Sequence, residues 1–405
     1  MSSDRDHSTP SEGLRPETLA VHPPRVEVTG SVPLGVPLHQ GHVFGFESAD
    51  ALADSMHSGD SFLYSRMGNP TVRTLEDAVA RLEGAAGALS FASGMGAINT
   101  VLLGLLHGGG HVIAQRCLYG GTYAMLTDLA ARWGVEVSHV SGTDPEEVAA
   151  ALRPTTRLLY LETIANPTTR VADIPALAAV ARAAGVPVAV DNTFASPLLC
   201  RPLSLGADLV VHSATKYLAG HADVLGGVLA VGDPELLGRM RHFAVELGAS
   251  TDPFAAWLTL RGMQTLSLRM DRHCASAATL AARLADHPAV AAVRYPGQAG
   301  HPDRAIAERL LPDGAGGVIS LDLAGGRDAG RAFVEAVRLA SLSVSLGDVK
   351  TLVMHPASTS HRQLDAAALE AAGIGPGTVR LSVGIEHVED LWADLDQALG
   401  KAAAL

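Results

Sequence analysis

From about residue 70 onward the chain alternates helical patterns with short apolar runs, and that alternation leaves few folds open. Residues 111–115, 135–140, 157–162, 186–190 and 208–212 read as strands, being apolar runs too short for buried helices. Between them, residues 122–133 and 174–184 carry helical spacing, the second closed by Gly185. A further helix start is marked by Asp144 as cap, Pro145 at the first helical position and Glu147 three residues after the cap. Strands of this kind joined through helices build a mostly parallel central sheet covered on both faces. Past about Met263, strand patterns at 318–323 and 378–383 and helix patterns at 329–339 and 388–399 suggest a smaller α+β domain. The expectation is an α/β fold in three parts: an arm (residues 1–68), a large domain (69–265) and a C-terminal small domain (266–405). Within the arm, the residues up to 19 read as mobile and residues 21–38, rich in Pro and Gly, as extended chain.

Composition removes several classes of function. At 405 residues and about 150 per domain, two or three domains with ample core are expected. Acidic side chains outnumber basic ones 42 to 30, for a net charge of -12, so a basic face for nucleic acid is not expected. Residues 85–106 carry no charge and are long enough to span a bilayer, yet Ser90, Ser93, Gly94, Gly96 and Asn99 interrupt them. We read that window as a buried helix with its preceding turn, and expect no membrane partner. The first 17 residues are polar without an apolar stretch, and Cys117, Cys200 and Cys274 form no closely spaced pair. Both features favour the cytoplasm. His39 with His42, and His107 with His111, have spacings that suggest metal ligands, but no carboxylate cluster joins them, so no metal is expected.

In open α/β sheets ligands bind beyond the carboxyl ends of the strands. Here those ends carry Glu162 and Asn166, then Asp191, then His212, Ser213, Thr215 and Lys216. Singly each is an ordinary loop residue; together they suggest a site. Lys216, Lys350 and Lys401 are the only lysines in an arginine-rich chain. Lysine can shed its proton and form a Schiff base, which guanidinium cannot. A lysine near an aspartate on a neighbouring strand suggests pyridoxal phosphate, whose ring nitrogen needs an acid partner. Ser93-Gly94-Met95-Gly96 leads into an apolar helix and could receive the phosphate, although a tight turn is the commoner meaning of such a run.

Read in order, Tyr64 to Thr71 (YSRMGNPT), Ser93-Gly94-Met95, Tyr119-Gly120-Gly121-Thr122, Glu162 to Pro167 (ETIANP), Asp191-Asn192-Thr193, Ser213 to Tyr217 (SATKY), His355 to Ser358 (HPAS) and Val379 to Gly384 (VRLSVG) form a series. The series resembles the Cys/Met-metabolism family of pyridoxal-phosphate enzymes, which contains cystathionine γ-synthase, the γ-lyases and the O-acylhomoserine sulfhydrylases. The resemblance implies an aspartate-aminotransferase-like fold, a homotetramer built as a dimer of dimers, and an amino-acid substrate. It implies that Lys216 holds the cofactor covalently and later shuttles protons. Asp191 would pair with the ring nitrogen, Tyr119 would stack on the ring and act as acid–base partner, and Asn166 would contact the cofactor's phenolic oxygen. Gly94, Met95, Ser213 and Thr215 would hold the phosphate, with Tyr64 and Arg66 reaching it from the neighbouring subunit. Arg380 would clamp the substrate carboxylate, with Ser345 as a second substrate contact. A regulator that binds the cofactor without catalysis is the alternative outside enzymology.

The family divides between γ-replacement and γ-elimination. The cystathionine enzymes typically carry Glu before Ser-Leu-Gly, where this chain has Val344, which argues against cystathionine. Methionine γ-lyases typically carry Cys in a Tyr-Gly-Cys-Thr motif, where this chain has Gly121, although residues 344–348 (VSLGD) themselves look lyase-like. Residues 316–320 (GGVIS), 355–361 (HPASTSH) and 375–378 (GPGT) resemble the O-acetylhomoserine sulfhydrylases. The leading expectation is γ-replacement on an O-activated homoserine with sulfide or a thiol; γ-elimination from methionine or homocysteine is the alternative.

Overall fold

Seven short strands make the first sheet because nearly every one is apolar on both faces and must be covered twice. The computed structural model describes residues 30, 32–59, 61–359, 369–370 and 373–404. The expected mobile leader, and residues 20–29, 31 and 60 of the rest of the expected arm, lie outside the described residues. The strands are β1 (Gly87–Phe91), β2 (His111–Gln115), β3 (Glu136–Val140), β4 (Thr156–Glu162), β5 (Val188–Asp191), β6 (Leu209–His212) and β7 (Gly227–Val231). Their order is β1-β7-β6-β5-β4-β2-β3. The run from β6 to β3 is parallel, whereas β7 is antiparallel to both neighbours. Leu89, Val112, Leu158, Leu209 and Leu229 from five of these strands share one core with Val101 and Leu102 of the helix Gly94–Leu105.

The uncharged window at 85–106 is not one helix. Gly84 closes the preceding helix in the left-handed conformation (φ 70°), and the chain then enters β1, whose residues pair with β7. The helix begins only at Gly94, after Ser93 has turned the chain. Backbone pairing against β7 thus outweighs the window's helical appearance. Among the described residues no helix is long and apolar enough to cross a membrane. The Asp144 cap forms as expected, accepting from the Glu146 N–H at 2.8 Å. Glu147 does not reach back to it; its carboxylate takes the Ser141 N–H instead.

The long helix Leu266–Ala285 leads to a second sheet: β8 (Val290–Arg294), β9 (Val318–Leu323), β10 (Ser341–Leu342), β11 (Leu352–Met354) and β12 (Thr378–Ser382). Its order is β10-β11-β12-β9-β8. It packs its own core, with Ile319, Leu321, Phe333, Leu381 and Leu395 all buried. Two ion pairs tie this region to the first sheet's loops. Arg170 grips Asp303 through two hydrogen bonds of 2.5 and 2.8 Å, and Arg309 lies 2.6 Å from Asp173. Arg380, on β12, is carried in this way to the carboxyl ends of β4 and β5, where its Nη1 meets Asn166.

Candidate active site

A cavity of about 430 Å³ opens where the carboxyl ends of β4, β5 and β6 face the second sheet. Ser93, Gly94 and Met95 line it from the start of the helix Gly94–Leu105, and Tyr119, Asn166, Asp191, Ser213, Thr215 and Lys216 from the strand ends. Ser345 and Arg380 come from the second sheet's side. Ten of the twelve residues singled out from the sequence therefore share one cavity. Tyr64 and Arg66 do not line it. Tyr64 is exposed, and Arg66 donates to the Val245 carbonyl at 2.9 Å.

Local sequence explains each placement. Ser93 caps its helix by accepting from the Gly96 N–H at 3.1 Å, and Ser93, Gly94 and Met95 bring this helix start to the cavity wall. A side chain at Gly94 would put a Cβ 2.9 Å from the Ser213 Cβ, so only glycine lets the helix start lie against that loop. Asp191 accepts from the Thr193 N–H at 3.0 Å, and Thr193 Oγ1 accepts from the Ser213 N–H at 2.8 Å, linking the two loops. Burial pushes the Asp191 carboxyl above its ordinary range, while Thr193 and His212 pull the other way.

Lys216 Nζ donates to Ser345 Oγ at 2.6 Å. Burial, reinforced by the charge of Arg380, brings its pKa down to about 8, so a sizeable fraction is neutral near physiological pH. Arg380 is itself buried, donating to Asn166 Oδ1 at 3.0 Å and to the Ser345 carbonyl at 2.5 Å. Its Nε has no hydrogen-bond partner among the described residues, and burial lowers its pKa to about 10. A buried cation whose hydrogen bonds go to neutral acceptors is suited to a ligand carboxylate. Ser345 holds both cations with a backbone φ of 125°, which non-glycine residues rarely adopt.

The sequence reading left several features unassigned. Thr193 lies two residues after Asp191 and Phe194 adjoins it in the wall, but neither type of residue announces a site. His212, placed at the rim by sequence, turns away and pairs with buried Glu83 at 2.6 Å. Glu162 and Asp191 sit side by side as register partners of adjacent strands. Cys117 is buried 3.0 Å from Thr168 Oγ1, with its thiol pushed up to about 11 by burial. His111 is fully engaged by Thr156 and Ser138.

An amine whose pKa is lowered to about 8, a buried carboxylate, a helix start at the cavity wall and a guanidinium bonded to neutral acceptors alone constitute a set that fits an aldehyde cofactor bearing a phosphate and a ring nitrogen. The model of the Cys/Met metabolism PLP-dependent enzyme family matches residues 17–400. The chain belongs to this family. Its cofactor is accordingly pyridoxal 5'-phosphate. It is 43% identical over 389 residues to the L-methionine gamma-lyase of Porphyromonas gingivalis, covering 94% of this chain and 96% of that one. It is 40% identical over 401 residues to the cystathionine gamma-synthase of Mycobacterium tuberculosis, covering 99% and 100%. The cystathionine gamma synthase of Xanthomonas oryzae pv. oryzae, solved in complex with aminoacrylate and cysteine, superposes with a TM-score of 0.88 at 40% identity, covering 93% and 95%. The chain thus has the α/β fold of this family and is one of its enzymes of sulfur amino-acid metabolism. Relatives similar at this level include both γ-lyases and γ-synthases.

Proposed function

We propose that this enzyme acts at the γ-carbon of an α-amino acid with a short, uncharged γ-substituent, and that its main reaction is γ-elimination. Methionine and water would give 2-oxobutyrate, ammonia and methanethiol; homocysteine would release hydrogen sulfide instead. The observation that carries this reading is the apolar mouth of the cavity. Val344 and Leu225 are 63% and 68% exposed there, with Leu346 and Met354 beside them. The two carboxylates of the lining, Glu162 and Asp191, both accept backbone N–H groups. A thioether suits such an apolar wall, whereas the distal ammonium of cystathionine would meet Val344, Leu225, Leu346 and Met354 there, and the carboxylates of the cavity lining are already engaged by backbone N–H groups. The likeness to L-methionine gamma-lyases supports the same choice.

When bound, pyridoxal phosphate supplies an electron sink for charge developing beside the α-carbon. The chain's own residues do the rest. Lys216 would hold the cofactor until the substrate's amino group displaces it, and its freed neutral Nζ, steered by Ser345 Oγ, would take the proton from the α-carbon. Arg380, fixed by Asn166 and the Ser345 carbonyl, binds the α-carboxylate. Asp191 would hold the proton on the ring nitrogen, and Asn166 would also meet the phenolic oxygen. Gly94, Met95, Ser213 and Thr215 would hold the phosphate. Tyr119 would cover the ring and protonate the leaving group. We assign Tyr64 and Arg66 to the site of a second copy, within a homotetramer of active dimers, and read residues 69–265 and 266–405 as large and small domains.

A second reading rests on Gly121. A Cβ there would lie 2.5 Å from Tyr119 Cε1 and 3.0 Å from Met95 Sδ, so the Tyr119 ring occupies the room that a lyase-type cysteine would need. That favours γ-replacement on an O-acylated homoserine by sulfide or a thiol. Product analysis separates the two. Methionine giving 2-oxobutyrate and methanethiol supports elimination. Homocysteine formed from O-acetylhomoserine only when sulfide is present, with methionine inert, replaces it by the second reading.

A further inference from the structure

We propose that Glu162 is a positioning residue: one carboxylate that locks together the loops carrying Tyr119 and Asn166 and, through Asn166, aims Arg380. The inference rests on the cavity being the cofactor and amino-acid site. Glu162 ends β4 and is 3% exposed. Its Oε1 accepts from the Tyr119 N–H at 2.6 Å and its Oε2 from the Asn166 N–H at 3.0 Å. Its own N–H donates to Gln115 Oε1 at 2.9 Å, which pins the end of β4 to the end of β2. Asn166 in turn accepts from Arg380 Nη1 at 3.0 Å. Two loops from different strands therefore converge on one side chain, and the second of them, through Asn166, meets the cation from the other sheet.

A stabilising role alone accounts poorly for a carboxylate here. No cation pairs with it among the described residues, and its register partner is another carboxylate, Asp191. Burial and the charge of Asp191 both push its pKa well up, so the fold carries an electrostatic cost at this position. Two backbone N–H donors aimed from opposite loops need two acceptor oxygens on one rigid group, and only a carboxylate supplies them. Glutamine has the same length but one oxygen; its amide would answer one loop and turn N–H against N–H at the other.

The test uses holoenzyme of the native chain and of Glu162→Gln, with borohydride reduction to locate the cofactor on Lys216. Spectral titration with L-norleucine reads amino-acid binding, because norleucine has the α-amino and α-carboxylate groups and no leaving group. Glu162→Gln is expected to retain cofactor on Lys216, to change its visible circular dichroism, and to weaken norleucine binding about tenfold. Norleucine affinity and visible dichroism both within twofold of native overturn the proposal. Should the variant not fold, hydrogen exchange on the native holoenzyme decides. Tyr119 and Asn166 amides as slow as those of β4 support the lock, and exchange at exposed-loop rates overturns it. Absence of cofactor from Lys216 in the native protein removes the site reading along with this one. Cofactor on Lys216 with an unaffected variant removes the role of Glu162 alone.

Discussion

Ser345 shows how much one residue can carry. Its φ of 125° places its Oγ against Lys216 and its carbonyl against Arg380 at once. Backbone in that region costs about 1–3 kcal/mol for a residue with a Cβ. Ser345→Gly is therefore expected to stabilise the fold by about 1 kcal/mol in denaturant unfolding while lowering turnover, because Lys216 loses its acceptor. Equal stability and equal activity would remove the argument from strain. Lys216 itself makes a prediction in pH. Its amine reacts only when neutral, and a pKa lowered to about 8 from the ordinary 10.5 means that covalent uptake of pyridoxal phosphate by apo-protein should be half-maximal near pH 8 and level above it. A rate still climbing toward pH 10.5 would show an unperturbed lysine. Lys216→Ala should abolish both covalent attachment and turnover.

Among the elements, the helix Gly94–Leu105 does two jobs with one end. Ser93 caps it, and the same turn lines the cavity. Ser93→Ala is expected to cost about 1 kcal/mol of stability and also to weaken retention of the cofactor. The control is Ser48, which caps the helix Ala49–Ser58 by accepting from the Ala51 N–H and lies outside the cavity lining. Its alanine variant should lose a similar stability with cofactor affinity unchanged. Equilibrium dialysis of both variants beside thermal melts separates the two effects; equal cofactor loss in both would make Ser93 a mere cap.

At the scale of the whole molecule, buried His273 joins the helix Leu266–Ala285 to the Val383 carbonyl at 2.7 Å. Burial lowers its pKa from 6.5 to about 4. The unfolded chain then binds the proton more readily than the folded one, so this stability is complete above about pH 6.5 and is lost as pH falls toward 4, on the order of 3 kcal/mol. Denaturation midpoints measured across that window should flatten in His273→Asn. The expected sharing of a site between copies has its own test. Mixed oligomers of Lys216→Ala and Arg66→Ala chains should regain activity, since one site then combines an intact Lys216 with an intact Arg66 from the other chain. No recovery on mixing would place Arg66 outside the neighbouring site.

Five of the seven strands of the first sheet and the chemistry at their carboxyl ends were legible in the sequence alone; β1, β7 and the order of strands across the sheet were not. Short apolar runs between amphipathic helices leave little choice but a parallel sheet, and Asp191, Ser213, Thr215 and Lys216 follow those runs directly. Local pattern could not separate β1 from the helix after it, because an uncharged stretch does not say whether it pairs with β7. Nor could it say which way a rim residue faces. His212 lies a few residues from Lys216 yet turns to Glu83, and Glu162, one loop residue among many in sequence, holds two backbone amides. Arg380 and Ser345 reach Lys216 only because the second sheet docks against the first. Residue types and their order along the chain are local properties, whereas convergence across about 130 to 215 residues of sequence is decided only when the two sheets pack.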